Sequence, residues 1–264
     1  MRDEPERGAF RVHRDLFRDP DLFDLEIAHI FEGGWVFVCL DSQVPKPHDF
    51  FVTRVGRRSV IVTRDGQGKL HCFFNTCRHR GATLCHTESG NCKVHICEYH
   101  GWSYGSDGLN TDIKDQEIGE YGDAFDEAGH DLIPVPRYES YRELCLVSLN
   151  TDVMPLEDYL GDARTMIDLV MDQGKDMELI PGRSRYTYQA NWKLQMDNGE
   201  DPYHLTSTHR GFAKIVYRRE AGESVNKQVV SPNFKRRFAM PAGQFNFDNG
   251  HGVIWNDHPK PEDQ

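Results

Sequence analysis

The sequence predicts an α+β fold in which an all-β domain is followed by a mixed domain of helices and strands. Short β-rich runs separated by Gly, Asp and Pro occupy residues 35–150, whereas apolar residues at helical spacing occur only before and after them. The 264 residues are enough for two ordinary domains. We therefore divide the chain into an N-terminal helical arm (1–41) that packs on the last domain, an all-β domain (42–150) and an α+β domain (151–264).

The N-terminal arm contains one predicted helix, which begins at Asp19-Pro20. Asp is a favoured N-cap residue, and Pro suits the first helical position. Gly33-Gly34 is expected to end the helix. Five apolar residues recur at helical spacing within it: Leu22, Phe23, Ile27, Ile30 and Phe31.

The remaining elements follow from local patterns. DFFVTRV, SVIVTRD and KLHCFFN predict strands of the middle domain. In the last domain, LEDYLGDARTMIDLVMDQG predicts a helix with Gly174 as a C-cap candidate. SRYTYQANWKL predicts strand, because tyrosines alternate with polar residues, and GQFNFDNGHGVIW predicts a hairpin that turns at Asp248-Asn249-Gly250.

Composition and charge restrict the classes of function. The formal net charge of −11 disfavours nucleic acid and anionic membranes as partners, since both require a basic face, and favours a small molecule or another protein. No apolar run is long enough to span a bilayer, so we expect a soluble protein. The charged N-terminus resembles no secretory signal, which predicts a cytoplasmic location. Seven cysteines, an odd number, favour thiols or metal ligands over a disulfide framework.

One segment, residues 111–131, contains eight acidic residues and one lysine. It is interpreted as either a docking surface for a redox partner or a solvated acidic loop. The second interpretation is favoured, because most runs of charge are solvated.

Four candidate metal ligands lie in two short predicted loops. Cys77-x-His79 is followed by seventeen residues and then by Cys97-x-x-His100. Gly81 lies two positions after His79, and Gly101 follows His100 directly, where tight backbone geometry is needed. Two thiolates and two imidazoles arranged in this way can bind the two irons of a [2Fe–2S] cluster, and imidazole ligands raise its reduction potential relative to four thiolates.

A structural zinc site is the alternative for these ligands, because zinc also accepts two Cys and two His. Zinc fingers usually present the Cys pair before the His pair, whereas Cys and His alternate here. Four further Cys and His residues between the two pairs are interpreted as structural: Cys85, His86, Cys92 and His95.

The two ligand pairs resemble the signature of Rieske [2Fe–2S] proteins, including the Arg80-Gly81 and Gly101-Trp102 that follow them. Glu98 departs from this signature, since the family commonly has Pro there, and an acidic neighbour tends to lower the potential slightly. The second loop lacks the extra Cys that forms a disulfide in respiratory Rieske proteins. The site therefore resembles the lower-potential oxygenase type.

A second group of candidate ligands lies near the end of the chain. Two His residues with four residues between them, together with a carboxylate from elsewhere, fit the facial triad of non-haem iron(II) enzymes that activate O2. On an ideal helix Asp197, Asp201 and His204 share a face, whereas His209 rotates off it. A helix end or a π-type bulge must therefore separate the two histidines, and Pro202 either restarts a helix or kinks a continuing one.

The segment NWKLQMDNGEDPYHLTSTH resembles the iron-binding segment of the catalytic subunit of Rieske non-haem iron ring-hydroxylating oxygenases, with Asp197 in place of the usual Glu. The stretches HRDLFRDPDLFDLEIAHIFEGGWVFV, ESYRELCLVSLN and NGHGVIW resemble the benzoate and anthranilate dioxygenase branch. The residues that match the family pattern W-K-x-x-x-E-N-x-x-D-x-Y-H-x-x-x-x-H are Trp192, Lys193, Asn198, Asp201, Tyr203, His204 and His209.

This resemblance implies a catalytic domain of helix-grip type and an oxygenase that adds both atoms of O2 to an aromatic carboxylate, giving a cis-dihydrodiol. Electrons come from NADH through a reductase or ferredoxin partner. Catalytic subunits form trimers in this family, usually with a small β subunit. The implied ligands are Cys77, His79, Cys97 and His100 for the [2Fe–2S] cluster, and His204 and His209 for a mononuclear iron(II).

Asp201 and Asn198 are the catalytic residues that the resemblance implies. By the same resemblance, Asp201 bridges by hydrogen bonds from His204 to His100 of the partner subunit, which is how an electron passes between the two centres. The third iron ligand of the family is an Asp from a later helix, expected beyond Gln264. We therefore interpret the sequence as an N-terminal fragment of a longer subunit.

The substrate and the reaction outcome stay open at this point. Benzoate, anthranilate, salicylate and halobenzoates are all compatible with the resemblance, and so is a monohydroxylation of the salicylate type. An electron-transfer module without a competent catalytic iron is the alternative from a different functional class.

Overall fold

The computed structural model describes residues 2–119, 121–174, 184–201, 204, 207–209, 211, 215 and 242–256. The chain divides into two compact units, which are described one at a time. The larger unit consists of Asp19–Tyr159 and Val170–Gly182. The smaller unit consists of Met1–Arg18, Leu160–Leu169 and Arg183–Gln264.

Strands outnumber helices among the described residues. The strands in chain order are β1 (Arg2–Glu4), β2 (Ala9–Arg11), β3 (Val36–Leu40), β4 (Asp49–Val55), β5 (Arg58–Arg64), β6 (Leu70–Phe74), β7 (Ser89–Asn91), β8 (Val94–Ile96), β9 (Ser103–Gly105), β10 (Asn110–Asp112), β11 (Arg137–Tyr141), β12 (Leu144–Ser148), β13 (Ala242–Asn246) and β14 (Gly252–Asn256). The α-helices are α1 (Pro20–Glu26), α2 (Asp123–Asp126), α3 (Leu156–Leu160), α4 (Arg164–Met171) and α5 (Trp192–Glu200).

Three antiparallel sheets form the larger unit. Their strand orders are β6-β5-β4-β7, β11-β12-β3 and β10-β9-β8. The runs DFFVTRV, SVIVTRD and KLHCFFN, predicted to be strands, form β4, β5 and β6, which are neighbours in the first of these sheets. The prediction that the middle of the chain is all-β is therefore confirmed for these runs.

Strand β5 separates two hydrophobic cores, because successive side chains of a strand point to opposite faces of its sheet. Val60 and Val62 belong to one core, which also contains Cys39 and Cys145. Ile61 belongs to the other. The second core includes the candidate ligands Cys77 and Cys97, so it is the part of the fold that positions them. Its buried members are Phe50, Ile61, Phe73, Cys77, Leu84, Cys97, Trp102, Tyr104, Ile113 and Leu132.

The predicted N-terminal helix is present, but part of its predicted apolar stripe is exposed. The Asp19 side chain accepts hydrogen bonds from the backbone N–H groups of Asp21 and Leu22, as an N-cap does. A π-helical turn, Ile27–Phe31, continues α1 and ends before the two glycines. Because a π turn adds a residue, it shifts side-chain directions, and the predicted apolar stripe does not stay buried. Phe23 and Ile30 are exposed.

The chain before this helix contains more than the predicted arm. Strands β1 and β2 form a two-stranded antiparallel sheet, with Arg2 opposite Arg11. Its residues are charged and mostly exposed, so no hydrophobic periodicity in the sequence indicated it.

The predicted helix at residues 156–174 is two helices, α3 and α4, separated by the 3-10 turn Gly161–Ala163. Gly161 has a φ of +48°, which is left-handed and interrupts the α-helix. The second helix ends at Met171, so Gly174 is not its C-cap. None of the described helices is long and apolar enough to cross a membrane.

The predicted hairpin is confirmed, whereas the predicted strand at SRYTYQANWKL is wrong. Strands β13 and β14 pair as expected, and Asn249 (φ +60°) and Gly250 (φ +81°) form the turn. Residues 184–190 form no strand, and helix α5 begins at Trp192. The local reason is the Asn191 side chain, which accepts a hydrogen bond from the Lys193 N–H and starts a helix.

Asn75, directly after β6, carries a testable contribution to stability. Its buried side chain donates to the Cys85 carbonyl (2.8 Å) and accepts from the Cys85 N–H (2.8 Å). Asn75→Ala leaves both backbone groups of Cys85 without these partners, and we expect it to lower the free energy of unfolding by about 1–3 kcal/mol in urea titrations.

Asn91→Ala is the matched control for this prediction. The Asn91 amide also bridges two oxygens, those of Pro47 and Asp49, but it is exposed, so water replaces the lost hydrogen bonds. Its loss is expected to stay below about 1 kcal/mol. Equal losses in the two variants would contradict the assignment of Asn75.

Candidate metal centres

The two ligand loops have the same backbone hydrogen-bond pattern. In the first loop the Gly81 N–H donates to the Cys77 carbonyl (3.1 Å), and in the second the Gly101 N–H donates to the Cys97 carbonyl (2.8 Å). Gly81 and Gly101 have φ values of +74° and +78°, a region that other residues adopt only with strain. The glycines predicted from the sequence are therefore required by the loop conformation.

A second hydrogen bond repeats in both loops. The Cys77 N–H donates to the Ala82 carbonyl, and the Cys97 N–H donates to the Trp102 carbonyl, each at 2.8 Å. The first loop follows β6, and the second joins β8 to β9. Two loops from two different sheets thus present their ligands in equivalent conformations.

The four predicted ligands lie in two chemically distinct pairs. Cys77 and Cys97 are buried, each with a relative exposure of 3%. Burial is the main cause that raises the pKa of the Cys97 thiol, and the adjacent Cys77 thiol raises it further. His79 and His100 lie nearer the surface, with ring centroids 4.5 Å apart and ring planes at 70°.

His79 favours the neutral form that binds metals. Desolvation is the largest cause that lowers the pKa of His79, followed by repulsion from His100 and from Arg80. A neutral imidazole leaves a ring nitrogen free to bind a metal. The thiol pair and the imidazole pair thus form an inner and an outer half of one site.

This paired arrangement fits a two-iron cluster better than a single ion. Within the part of the chain that the structure describes, no group of three or more His, Cys, Asp or Glu side chains converges on one point, as the ligands of a tetrahedral zinc would. Two separate pairs suit a cluster in which one iron takes two thiolates and the other takes two imidazoles.

Tyr104 belongs to this site, although sequence reasoning did not identify it. Its hydroxyl oxygen accepts a hydrogen bond from the Arg78 N–H (3.0 Å) and lies 3.2 Å from Cys77 Sγ. A cysteine that binds iron as a thiolate has no proton to donate, so in the loaded site the hydroxyl proton is directed to the sulfur. The ring is fully buried, and burial is the main cause that raises the pKa of Tyr104. Its position two residues after Gly101-Trp102 was the available signal.

The four Cys and His residues between the ligand pairs have other surroundings. Cys92 Sγ lies 3.1 Å from the Val94 carbonyl oxygen, and Cys85 Sγ lies 3.7 Å from the Thr87 carbonyl oxygen. His95 is buried against Phe50, with ring centroids 5.2 Å apart. The two cysteine contacts are local, whereas His95 packs against a core residue distant in the sequence.

The two candidate ligands of the second centre lie close together. The Nε2 atoms of His204 and His209 are 3.1 Å apart. Two nitrogens at about 2.1 Å from one metal and at right angles to each other are separated by about 3.0 Å, so this spacing fits adjacent ligands of one ion. The turn that produces it is closed by the Thr208 N–H, which donates to the His204 carbonyl (2.8 Å).

Asp201 is placed to orient the first histidine. Its Oδ2 atom lies 3.3 Å from His204 Nδ1, the ring nitrogen that is not directed at His209. A carboxylate on the far nitrogen fixes the tautomer and the direction of a ligating imidazole.

Helix α5 ends before these residues. Glu200 is its last residue, and Asp201 has extended dihedrals (φ −96°, ψ 103°). Asp197 is therefore not on a continuous helix with Asp201 and His204, and α5 ends before both histidines rather than between them. Pro202 lies outside the described residues. Residues that precede Pro are biased to extended backbone, which explains why α5 stops there.

The remaining predicted residues are exposed. Asp197 and Asn198 lie on the exposed side of α5. Among the described residues, no hydrogen bond joins the Asn198 side chain to His204 or His209, and no carboxylate completes a three-ligand group with the two histidines.

Two family models match the chain. Residues 34–121 match the Rieske [2Fe-2S] domain, and residues 157–263 match the ring hydroxylating alpha subunit (catalytic domain). The first match contains all four ligands of the paired site, and the second contains both histidines of the second centre. These matches confirm the predicted resemblance and the predicted fold class.

Similar proteins extend over nearly the whole chain. The toluate 1,2-dioxygenase subunit alpha of Pseudomonas putida is 39% identical over 97% of this chain and 56% of its own length. The anthranilate 1,2-dioxygenase large subunit of Acinetobacter baylyi is 39% identical over the same shares. The solved structure of naphthalene 1,2-dioxygenase from Rhodococcus sp. bound to indole is 31% identical, with a TM-score of 0.73 over 92% of this chain and 53% of that one. The chain thus spans about half the length of these relatives.

The hydrogen bond from Tyr104 to the cysteine sulfur gives a prediction about the cluster. A donor to a sulfur ligand stabilises the reduced state, because reduction adds negative charge. Tyr104→Phe is therefore expected to lower the ratio of reduced to oxidised cluster at a fixed potential, about two- to tenfold for one hydrogen bond, in a spectroelectrochemical titration.

Tyr99→Phe is the control for the same chemical change. Tyr99 is exposed, so its hydroxyl is hydrated and its removal is expected to leave the ratio unchanged. A Tyr104→Phe protein whose midpoint potential equals that of the unchanged protein would refute the role of this hydroxyl.

Proposed function

This chain belongs to the family of Rieske ring-hydroxylating oxygenase alpha subunits, and we propose that it is part of the catalytic subunit of a dioxygenase that cis-dihydroxylates an aromatic carboxylate. The observation that carries the proposal is the presence in one chain of the paired Cys and His loops and of two histidines with Nε2 atoms 3.1 Å apart. A chain that only carried electrons has no need of the second centre.

In the first centre, the cysteines and the histidines are proposed to bind different irons. Cys77 and Cys97 hold the inner iron through their thiolates, and His79 and His100 hold the outer iron through neutral imidazoles. When bound, the [2Fe–2S] cluster supplies one-electron transfer and the mononuclear iron supplies activation of O2. Because the imidazole half is nearer the surface, the histidine edges are the side through which electrons enter and leave.

The residues of the second centre position its metal. His204 and His209 bind the mononuclear iron through Nε2, and Asp201 orients His204 from the opposite ring nitrogen. Asn198 is proposed as a catalytic residue from its place in the family pattern, three positions before Asp201. The third protein ligand is proposed to be an Asp, as the family resemblance implies.

Electron transfer between centres is proposed to occur between subunits. Asp201 is proposed to bridge by hydrogen bonds from His204 to His100 of the partner subunit, as the family resemblance implies. The proposed assembly is a trimer of such subunits with a small β subunit. A reductase, with or without a ferredoxin, supplies electrons from NADH. The family membership supports these partners.

The substrate class is proposed from the similar proteins. Two of them are named for toluate and anthranilate, which are both aromatic carboxylates. We therefore assign an aromatic carboxylate to this chain, with dihydroxylation as the reaction. The arm (1–41), the Rieske domain (42–150) and the catalytic domain (151–264) are the proposed division of the chain.

Metal analysis tests the pair of centres directly. The cluster alone gives about two irons and two acid-labile sulfides per chain, and the mononuclear site adds a third iron. We expect His204→Ala combined with His209→Ala to remove the third iron and to leave the sulfide content unchanged. About two irons in the unchanged protein favours the electron carrier, and zinc without sulfide contradicts both functions.

Asp201→Asn tests the proposed bridge. Asn keeps the size of the side chain but loses the charge that stabilises and orients His204, so both metal sites should stay filled. We expect turnover in the assembled oxygenase to fall about 100-fold, at the upper end for such outer residues. Coupled O2 uptake at the unchanged rate would rule out the bridge, and Asp197→Asn, which alters an exposed carboxylate on α5, is the control.

A further inference from the structure

The acidic segment 111–131 has an aromatic inner side. The ring of Tyr121 stacks on that of Phe125, with centroids 4.3 Å apart and planes at 16°. The ring of Phe125 in turn contacts that of His130, with centroids 4.4 Å apart. Asp123 and Glu127, in the same stretch, are exposed. The segment therefore turns these charges outward and the rings of Phe125 and His130 toward the domain, while Tyr121 is exposed.

Trp102 lies between these rings and His79, a ligand of the proposed cluster. Phe125 and His130 both contact the Trp102 ring edge-on, with centroid distances of 6.0 Å and 5.3 Å. The Trp102 ring lies parallel to the imidazole of His79, with centroids 4.9 Å apart and planes at 10°. Trp102 is buried, with a relative exposure of 5%. The indole is thus enclosed between the acidic segment and the outer ligand pair.

His130 is fixed on both sides by hydrogen bonds. Its Nε2–H donates to the Phe125 carbonyl at 2.7 Å, which closes the turn that carries both rings. On the other side, the Leu132 N–H donates to the Gly108 carbonyl (2.9 Å), and Asp131 accepts from the Asn110 N–H (2.7 Å). The His130 ring is therefore held in place against Trp102.

We infer that Phe125 and His130 are positioning residues of the [2Fe–2S] cluster. They hold Trp102 in place, and Trp102 fixes the plane of His79 and keeps water from that face of the imidazole. The inference rests on the proposed function only in requiring that His79 binds the cluster. It gives residues 121–130, which contain no ligand, a part in setting the cluster's reduction potential.

The direction of the effect follows from solvation. Reduction adds negative charge to the cluster, and surroundings that exclude water disfavour the more charged state. Removing a ring that covers Trp102 admits water and loosens His79, so reduction becomes easier. The orientation of the imidazole changes as well, and the spectrum of the cluster responds to that orientation.

His130→Ala and Phe125→Leu test the inference in the chain loaded with its cluster. In each variant we expect the ratio of reduced to oxidised cluster at a fixed potential to rise about two- to tenfold. This factor is the contribution of one aromatic pair expressed as a change in an equilibrium constant. A tenfold rise is a shift of about 59 mV for a one-electron couple. We also expect changes in the visible circular dichroism and in the electron paramagnetic resonance g-values.

Two control variants separate the rings from other effects. His130→Phe retains an aromatic edge against Trp102 but loses the hydrogen bond to Phe125, and its potential should stay near that of the unchanged protein. Glu117→Gln removes one exposed charge of the segment without touching a ring, and it should leave the g-values unchanged.

The outcomes distinguish this inference from the proposed function. A chain without iron and acid-labile sulfide refutes the proposed cluster itself. Loaded His130→Ala and Phe125→Leu proteins with unchanged potential, dichroism and g-values overturn the positioning role and leave the proposed function standing. If His130→Ala does not retain the cluster, Phe125→Leu decides by the same measurements.

Discussion

The first centre depends on one backbone constraint, the closure of two short loops by left-handed glycines. Gly81 and Gly101 each donate to the carbonyl of the cysteine four positions earlier, and both have positive φ. A side chain at either position strains the loop. Because the loops belong to different sheets, this shared conformation allows ligands eighteen to twenty-three positions apart in the chain to face one site. The packing around the loops then has only to hold the two sheets in fixed positions.

The two halves of this centre differ in burial, because only the cysteines among the four ligands belong to the core. Cys77 and Cys97 belong to a buried cluster with Tyr104, while His79 and His100 lie nearer solvent. The sulfur side therefore receives a hydrogen bond from a buried hydroxyl. On the imidazole side His79 stacks on Trp102, which contacts aromatic rings from another segment. Reduction potentials of such clusters respond to hydrogen bonds at sulfur and to solvent exposure. In this fold, a hydrogen bond acts on the sulfur half of the site, and the exclusion of solvent acts on the imidazole half.

The candidate ligands of the second centre lie close together in the sequence, whereas those of the first centre come from two separate loops. Five positions separate His204 and His209, and a single turn brings their Nε2 atoms to 3.1 Å. Asp201 reaches His204 across three positions, because the helix before it ends at Glu200. Local geometry of this kind can place two ligands and an orienting carboxylate. Among the described residues no carboxylate completes a three-ligand group with the two histidines, and the chain spans 56% of the length of these two relatives.

The sequence by itself predicted the two loops with the candidate ligands and their glycines, the strands β4, β5 and β6, the N-capped helix and the C-terminal hairpin, since each depends on residues a few positions apart. The strand predicted at SRYTYQANWKL is wrong, because Asn191 caps a helix there, and the exposure of Ile30 was not predicted, because that residue lies in a π turn. Only the tertiary structure decided that Tyr104 faces a cysteine sulfur and that Trp102 joins the acidic segment to His79. Such contacts arise where separate elements pack together, and hydrophobic periodicity says which face of a strand is buried but not what it meets.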